Sequence, residues 1–479
     1  MSGAENPTDM LSLSFLFRNF ALNFFHVSTM KFKALLILTI LILATAPRVF
    51  AGGTVLGIDG EEATSVGIYI KDIETGRVLY EVNSQQALTP ASVLKAVTSA
   101  SVLSVSGMDA VFTTKVMLRG TKRADGTFVG DIVVAGAGDP TLETENFKSR
   151  LGFCDSIAAA LKRREITKLT GSIIVRQSLK DSGPNTKWEI EDVAWPYGAG
   201  LYGFNWRDNC TKVYPVTGRT APEVPGLKVT LRQVTTGNDI VRGIYSDRLI
   251  AYTRDTKNVK WTLSTSVPDP AAVFVCELTK TLKAAGISVG TKPANAGVEE
   301  SLIYTHCSAA YGDILRSLMV RSDNLFAEGV LRTLAPADSR DKAIKRMKEI
   351  WATRGINTRY TNIYDGSGLT RANRLSPRFI ADVLEWMAKS PMAVDYASFF
   401  PRAGKEGTLR GFLAKSDIAE SIALKTGSVS SVQCYAGYRV DSEGNPTHVI
   451  VIMVNGFFCP RRQVREASEQ LLTDIFDTK

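Results

Sequence analysis

Three short stretches of the 479-residue chain carry side chains that could perform acyl transfer. "PASVLKAV" sets Ser92 three residues before Lys95, "RSDN" supplies Ser322 and Asn324, and "LKTGS" supplies Lys425, Thr426, Gly427 and Ser428. A serine hydroxyl is a poor nucleophile until a neighbour takes its proton, and a lysine can take it only when neutral. Apolar burial and a second nearby cation both disfavour the charged form. "PASVLKAVTSA" offers the burial and Lys425 the cation. Histidine offers no competing base: the chain has three, and His306 and His448, outside the leader region that holds His26, read as structural. So few histidines also argue against a multi-histidine zinc site, and neither metal nor cofactor is expected.

These residues need particular elements to hold them. Pro90-Ala91-Ser92 reads as a helix start, which places Ser92 and Lys95 on one face, a turn apart. Ser322-Asp323-Asn324 begins a second helix, where such residues also serve as caps. Lys425 to Ser428 head an alternating strand. "TSVGIYIKDIETGRVLYEVNSQ" reads as one hairpin, and "VQCYAGYRVDSEGNPTHVIVIMVNGFF" as another that turns near Gly444-Asn445-Pro446. "RRQVREASEQLLTDIFDT" closes the chain as an amphipathic, core-packing helix. The fold class is therefore α+β, an antiparallel sheet flanked by helices, built from residues 52–112 and 303–479. Ser322 follows Ser92 by 230 residues, so a large insertion, 113–302, separates the first two motifs. Its strand signals ("TTKVMLRG", "GSIIVRQ", "LKVTLRQV") predict one or two mostly β lobes. "GAGDPT" lacks the third glycine and following helix of a dinucleotide loop.

Residues 30–51 have the layout of a secretory signal peptide: a basic start, a short apolar run and a small-residue cleavage site. Residues 1–29 fit badly before such a segment and read as an over-extended start, with a poorly ordered leader as the other reading. The expected product is exported, periplasmic and without a transmembrane anchor. A formal charge of +9 without a long basic run suits an anionic polymer such as cell wall, and no nucleic-acid motif is present. None of the six cysteines forms a Cys-x-x-Cys pair, and spacing leaves any disulfide connectivity open.

The order Ser-x-x-Lys, Ser-x-Asn, Lys-Thr-Gly is that of penicillin-binding proteins and class A β-lactamases. With the long gap after the first motif, the chain resembles the low-molecular-mass class C penicillin-binding proteins, the exported D-alanyl-D-alanine carboxypeptidase/endopeptidase family. "GDIVVAGAGDPTL", "VPDPAAVFVCELTKTLKAAGISV", "YDGSGLTRANRLSP" and "AGKEGTLRGF" share the likeness, which covers most of residues 64–478. The resemblance implies a serine β-lactamase/transpeptidase-like domain that acts on peptidoglycan stem peptides and is acylated by β-lactams. It implies Ser92 as nucleophile, Lys95 as base, and the N–H groups of Ser92 and Ser428 as oxyanion hole. Ser322 would relay a proton to the leaving amine, and Asn324 would hold the substrate amide and Lys95. Lys425 and Thr426 would pair with the terminal carboxylate, and Gly427 would admit substrate backbone to the strand edge. Asp192 and Arg371 would hold the side-chain end of a diaminopimelate residue. Val429 and Ser430, where some relatives carry glutamine, depart from that pattern. Two other readings stand beside this one. A β-lactamase is disfavoured because no Glu-x-x-Leu-Asn segment follows Asn324; a non-catalytic wall-binding or β-lactam-sensing protein is disfavoured by the intact motifs. Oligomeric state leaves no signal in the sequence.

Overall fold

A computed structural model describes residues 55–254, 262–294 and 299–477. The leader and signal peptide expected within 1–51 lie outside the described residues. The first hairpin pairs β1 (Ser65–Asp72) with β2 (Val78–Val82). A 3-10 turn, Ala91–Val93, then runs into α1 (Leu94–Ser106). Ten consecutive residues of α1, Leu94 to Leu103, are buried. That stretch lies in a core and has no solvent face; only the last turn, at Val105, opens to solvent.

The next segment begins with the hairpin β3 (Thr113–Lys122) and β4 (Thr127–Gly136), followed by α2 (Phe153–Lys162), β5 (Lys168–Leu169) and β6 (Ile173–Gln177). Short strands follow: β7 (Cys210–Val213), β8 (Thr220–Ala221), β9 (Lys228–Gln233), β10 (Asp239–Arg242), β11 (Arg248–Thr253) and β12 (Leu263–Ser266). Then come α3 (Pro270–Ala284), β13 (Ser288–Val289) and β14 (Glu300–Cys307). One sheet runs β13-β5-β4-β3-β14, with β6 added on β4. It shares a core with α2 and α3 through Phe153, Leu161, Phe274 and Leu278. Two smaller sheets run β10-β11-β9 and β12-β7-β8. Cys307 pairs with Thr113, so the chain leaves for this segment and returns from it at adjacent points. The last strand thus runs five residues past the sequence-derived boundary at 302.

The remaining chain supplies α4 (Tyr311–Arg321), α5 (Asn324–Arg332), α6 (Arg340–Ala352), α7 (Pro377–Ala388) and α8 (Ala393–Ser398). It ends in β15 (Ile422–Val429), β16 (Val432–Val440), β17 (Pro446–Asn455) and α9 (Arg461–Phe476). The main sheet runs β15-β16-β17-β1-β2, antiparallel throughout, so the first strands close against the last. Side chains alternate across a strand. In β17, Val449, Val451 and Met453 enter a core shared with the helices α1 and α4 to α8. Ile450, Ile452 and Val454 enter the opposite core, with Val464 and Leu472 of α9. Both faces are covered, which explains the unbroken apolar run "VIVIMV". None of the six cysteines is in a disulfide. Among the described residues no helix is long and apolar enough to cross a membrane.

Candidate active site

Ser92 stands in the 3-10 turn ahead of α1 and is half-buried. Two glycines let other segments close on that turn. A Cβ on Gly368 would lie 1.9 Å from the Ala91 carbonyl oxygen, and one on Gly427 would lie 2.6 Å from the Pro90 carbonyl oxygen and 3.0 Å from Ser92 N. Gly427 therefore has a packing reason to be glycine within the protein itself, besides the expected approach of substrate.

Lys95, one turn on, is fully buried. Its Nζ lies 2.9 Å from Ser92 Oγ, 2.6 Å from Asn324 Oδ1 and 2.6 Å from the Ser367 carbonyl oxygen. The last two are pure acceptors, and a neutral amine has two N–H groups and one lone pair. When Lys95 is neutral, the acceptors occupy both N–H groups and the lone pair is left for the Ser92 hydroxyl. Burial lowers the Lys95 pKa to about 8, against the opposing pull of Asp365, Asp323 and Glu328.

The Ser367 carbonyl is held by two buried carboxylates that the sequence did not single out. Glu328 Oε1 accepts from the N–H groups of Gly366 and Ser367, each at 2.9 Å. Its second oxygen faces Arg340 Nε at 3.6 Å, and burial raises its pKa. Asp365 accepts from Gly368 N, Thr370 N, Asn373 Nδ2 and, at 2.9 Å, Trp188 Nε1. Trp188 belongs to the segment between the first two motifs, so that segment clamps the active-site loop. The segment 364–377 that contains "DGSG" was legible as family-like, but the burial of its aspartate was not.

Ser322 ends α4 in a left-handed conformation, φ 60°. Asp323 caps α5 by accepting from Phe326 N at 3.0 Å, and Asn324 opens the helix. Asn324 Nδ2 donates to the Tyr197 carbonyl at 2.7 Å, which turns Oδ1 toward Lys95. Lys425 Nζ donates to Ser322 Oγ at 3.0 Å and to the Thr426 carbonyl at 2.7 Å. Burial, and then the charge of Lys95, push the Lys425 pKa well below the lysine range. The charge of Lys95 thus acts on Lys425, whereas the sequence expectation ran the other way, with Lys425 as the cation that lowers Lys95; burial is what lowers Lys95.

A cavity of about 440 Å³ opens over these groups. Ser92, Ser322, Asn324, Thr426 and Ser428 line it, and Asp192 and Arg371 stand on its walls with Val429 and Ser430. Lys95 and Lys425 lie beneath, each bonded to a lining serine. Asp192 accepts from the hydroxyl of Tyr197 at 2.9 Å, another wall residue unmarked by sequence. Arg371 Nε lies 3.9 Å from Glu189. Neither His306 nor His448 lines the cavity: His306 packs edge-on against Phe153, and His448 faces Asp72 at 3.6 Å.

The profile of the D-Ala-D-Ala carboxypeptidase 3 (S13) family matches residues 57–474. The D-alanyl-D-alanine carboxypeptidase DacB of Haemophilus influenzae is 24% identical over 423 residues, which cover 83% of this chain and 86% of that protein. A D-alanyl-D-alanine carboxypeptidase of an Actinomadura species is 26% identical over 428 residues, covering 81% and 78%. The crystal structure of penicillin binding protein 4 from Haemophilus influenzae superposes with a TM-score of 0.74 at 22% identity, over 87% of this chain and 97% of that one. At that identity the superposition shows a shared α+β fold.

Proposed function

Because the chain belongs to the D-Ala-D-Ala carboxypeptidase 3 (S13) family and is a serine D,D-peptidase, we propose that its chemistry runs through Ser92 with Lys95 as the base. Ser92 Oγ attacks the carbonyl of the penultimate D-alanine of a stem peptide while its proton passes to neutral Lys95. The C–N bond breaks, and the leaving amine takes a proton through the Ser322 hydroxyl. Water then attacks the ester, the C–Oγ bond breaks, and the proton returns to Ser92. N–H groups of Ser92 and Ser428 stabilise the oxyanion in both halves. The close approach of Gly427 to the Ser92 turn supports that pairing. A substrate carboxylate docked at Thr426 and Ser428 gives buried Lys425 the counter-charge it lacks in the free enzyme. Asp192 and Arg371 receive the opposite charges of a zwitterionic diamino side chain. β-Lactams acylate the same serine, and peptidoglycan as substrate implies work in the periplasm.

The observation that carries this reading is the bonding of Lys95, two acceptors and one hydroxyl around an amine with two N–H groups and one lone pair. The test is chromatography of muropeptides incubated with the protein. The expected result is loss of terminal D-alanine from pentapeptides and cleavage of D-alanyl cross-links, both abolished in Ser92→Ala; turnover that survives in that variant would overturn the assignment.

A further inference from the structure

A second cavity, about 390 Å³, adjoins the first and shares Thr408, Thr426, Ser428 and Arg461 with it. Arg461, Arg462 and Arg465 from the first turns of α9 line it, with Gln433 and Tyr435 of β16. No carboxylate is among its lining residues. Arg461 Nη2 donates to the Val429 carbonyl at 2.7 Å, a neutral partner that anchors the side chain between the cavities. Arg462 and Arg465 face Glu466 and Glu469 through Nε at 3.5 Å each, long for charged hydrogen bonds. Arg465 Nη1 reaches to 3.8 Å from where a Cβ on Gly411, another wall residue, would sit. Asp192, Tyr197 and Arg371 do not line this cavity, so it extends from the Thr426–Ser428 end of the site.

That end is where the proposed function, on which this inference rests, docks the carboxylate of the leaving group. A free D-alanine leaving group ends there. In a cross-link the leaving amine belongs to a second stem peptide, which carries a carboxylate beside that amine and more along its length. We propose that Arg461, Arg462 and Arg465 form an anion subsite for the acidic peptide on the leaving-group side of a D-alanyl cross-link. The first carboxylate takes the place of that of D-alanine, and the rest of the chain passes Thr426 and Ser428 into the second cavity. The arginines thereby favour cleavage of cross-links over trimming of pentapeptides.

The test compares kcat/KM of the full chain on a monomeric pentapeptide muropeptide, a cross-linked dimer, and the same dimer with its acceptor-strand carboxylates amidated except the one beside the leaving amine. In Arg462→Gln/Arg465→Gln the expected result is at least a tenfold loss on the dimer, mainly through KM, with the pentapeptide within twofold of wild type. Wild type should lose a similar factor on the amidated dimer, and the double variant should lose nothing further. Arg462→Lys/Arg465→Lys, which keeps the charge, should recover part of the loss. Equal losses on dimer and pentapeptide, an unaffected dimer rate, or a variant that still discriminates against the amidated dimer would overturn the subsite while leaving the parent reading intact. Wild-type protein that turns over neither pentapeptide nor dimer would overturn both.

Discussion

Replacing Gly427 by alanine tests how strand β15 is held against the turn that carries Ser92, the proposed nucleophile. The new Cβ would lie 2.6 Å from the Pro90 carbonyl oxygen, 2.9 Å from Val93 N and 3.0 Å from Ser92 N. All three are backbone atoms, so no side chain can swing aside. Ordinary contact begins at 3.4 Å, so strand and turn must part by roughly 0.8 Å. Overpacking of this kind costs about 1–3 kcal/mol, a modest loss of melting temperature in a chain of this size. The kinetic effect should be larger, because a displacement near 1 Å at a reacting centre costs about 10²-fold. Lys95, Asn324 and Ser367 lie outside the clash, so the pH dependence of the residual rate should not move. Stopped-flow acylation by a fluorescent penicillin, alongside thermal melting by circular dichroism, separates the two effects. The expected result is acylation slowed about hundredfold in a protein that still melts cooperatively. Acylation within about threefold of wild type would refute the claim that this contact positions the oxyanion-binding N–H groups.

Three further outcomes follow from the same geometry. In the proposed mechanism deprotonated Lys95 is the base, so acylation by benzylpenicillin should rise about tenfold per pH unit below its pKa of about 8 and level off above it; a flat or falling profile between pH 6 and 9 would contradict the role of Lys95. Asn324→Ala removes the acceptor of one Lys95 N–H and the donor to the Tyr197 carbonyl, which should cost about 1–3 kcal/mol in chemical denaturation and slow acylation severely; wild-type acylation would count against the orienting role. Asp192→Ala and Arg371→Ala should each raise KM about tenfold for stem peptides with a zwitterionic diamino side chain, with benzylpenicillin acylation little changed; equal losses on both substrates would mean that these residues support the fold and not recognition.

What could be read from the sequence was local, and what could not was long-range. Ser92 and Lys95 are three residues apart, and a helix alone brings them onto one face. The hairpins of β1–β2 and β16–β17 and the closing helix α9 follow from periodicity over short windows. Gly427 was legible as a glycine on a strand edge, but the neighbour that forbids a Cβ is the Pro90–Val93 backbone, more than 300 residues earlier. Glu328 lies in "NLFAEGVLR", where a glutamate reads as the polar face of an amphipathic helix, yet it is fully buried under the Ser367 loop. Trp188 and Tyr197 reach the site only because the segment after β6 folds back over it, a contact that no spacing rule encodes.

The central claim is that Ser92 forms an acyl-enzyme, and intact-mass spectrometry after addition of benzylpenicillin tests it most directly. The expected spectrum shows a one-to-one adduct that Ser92→Ala lacks. An unmodified protein with the drug intact would mean that the three motifs do not act together, and an adduct that persists in Ser92→Ala would place the nucleophile elsewhere; either result contradicts the account.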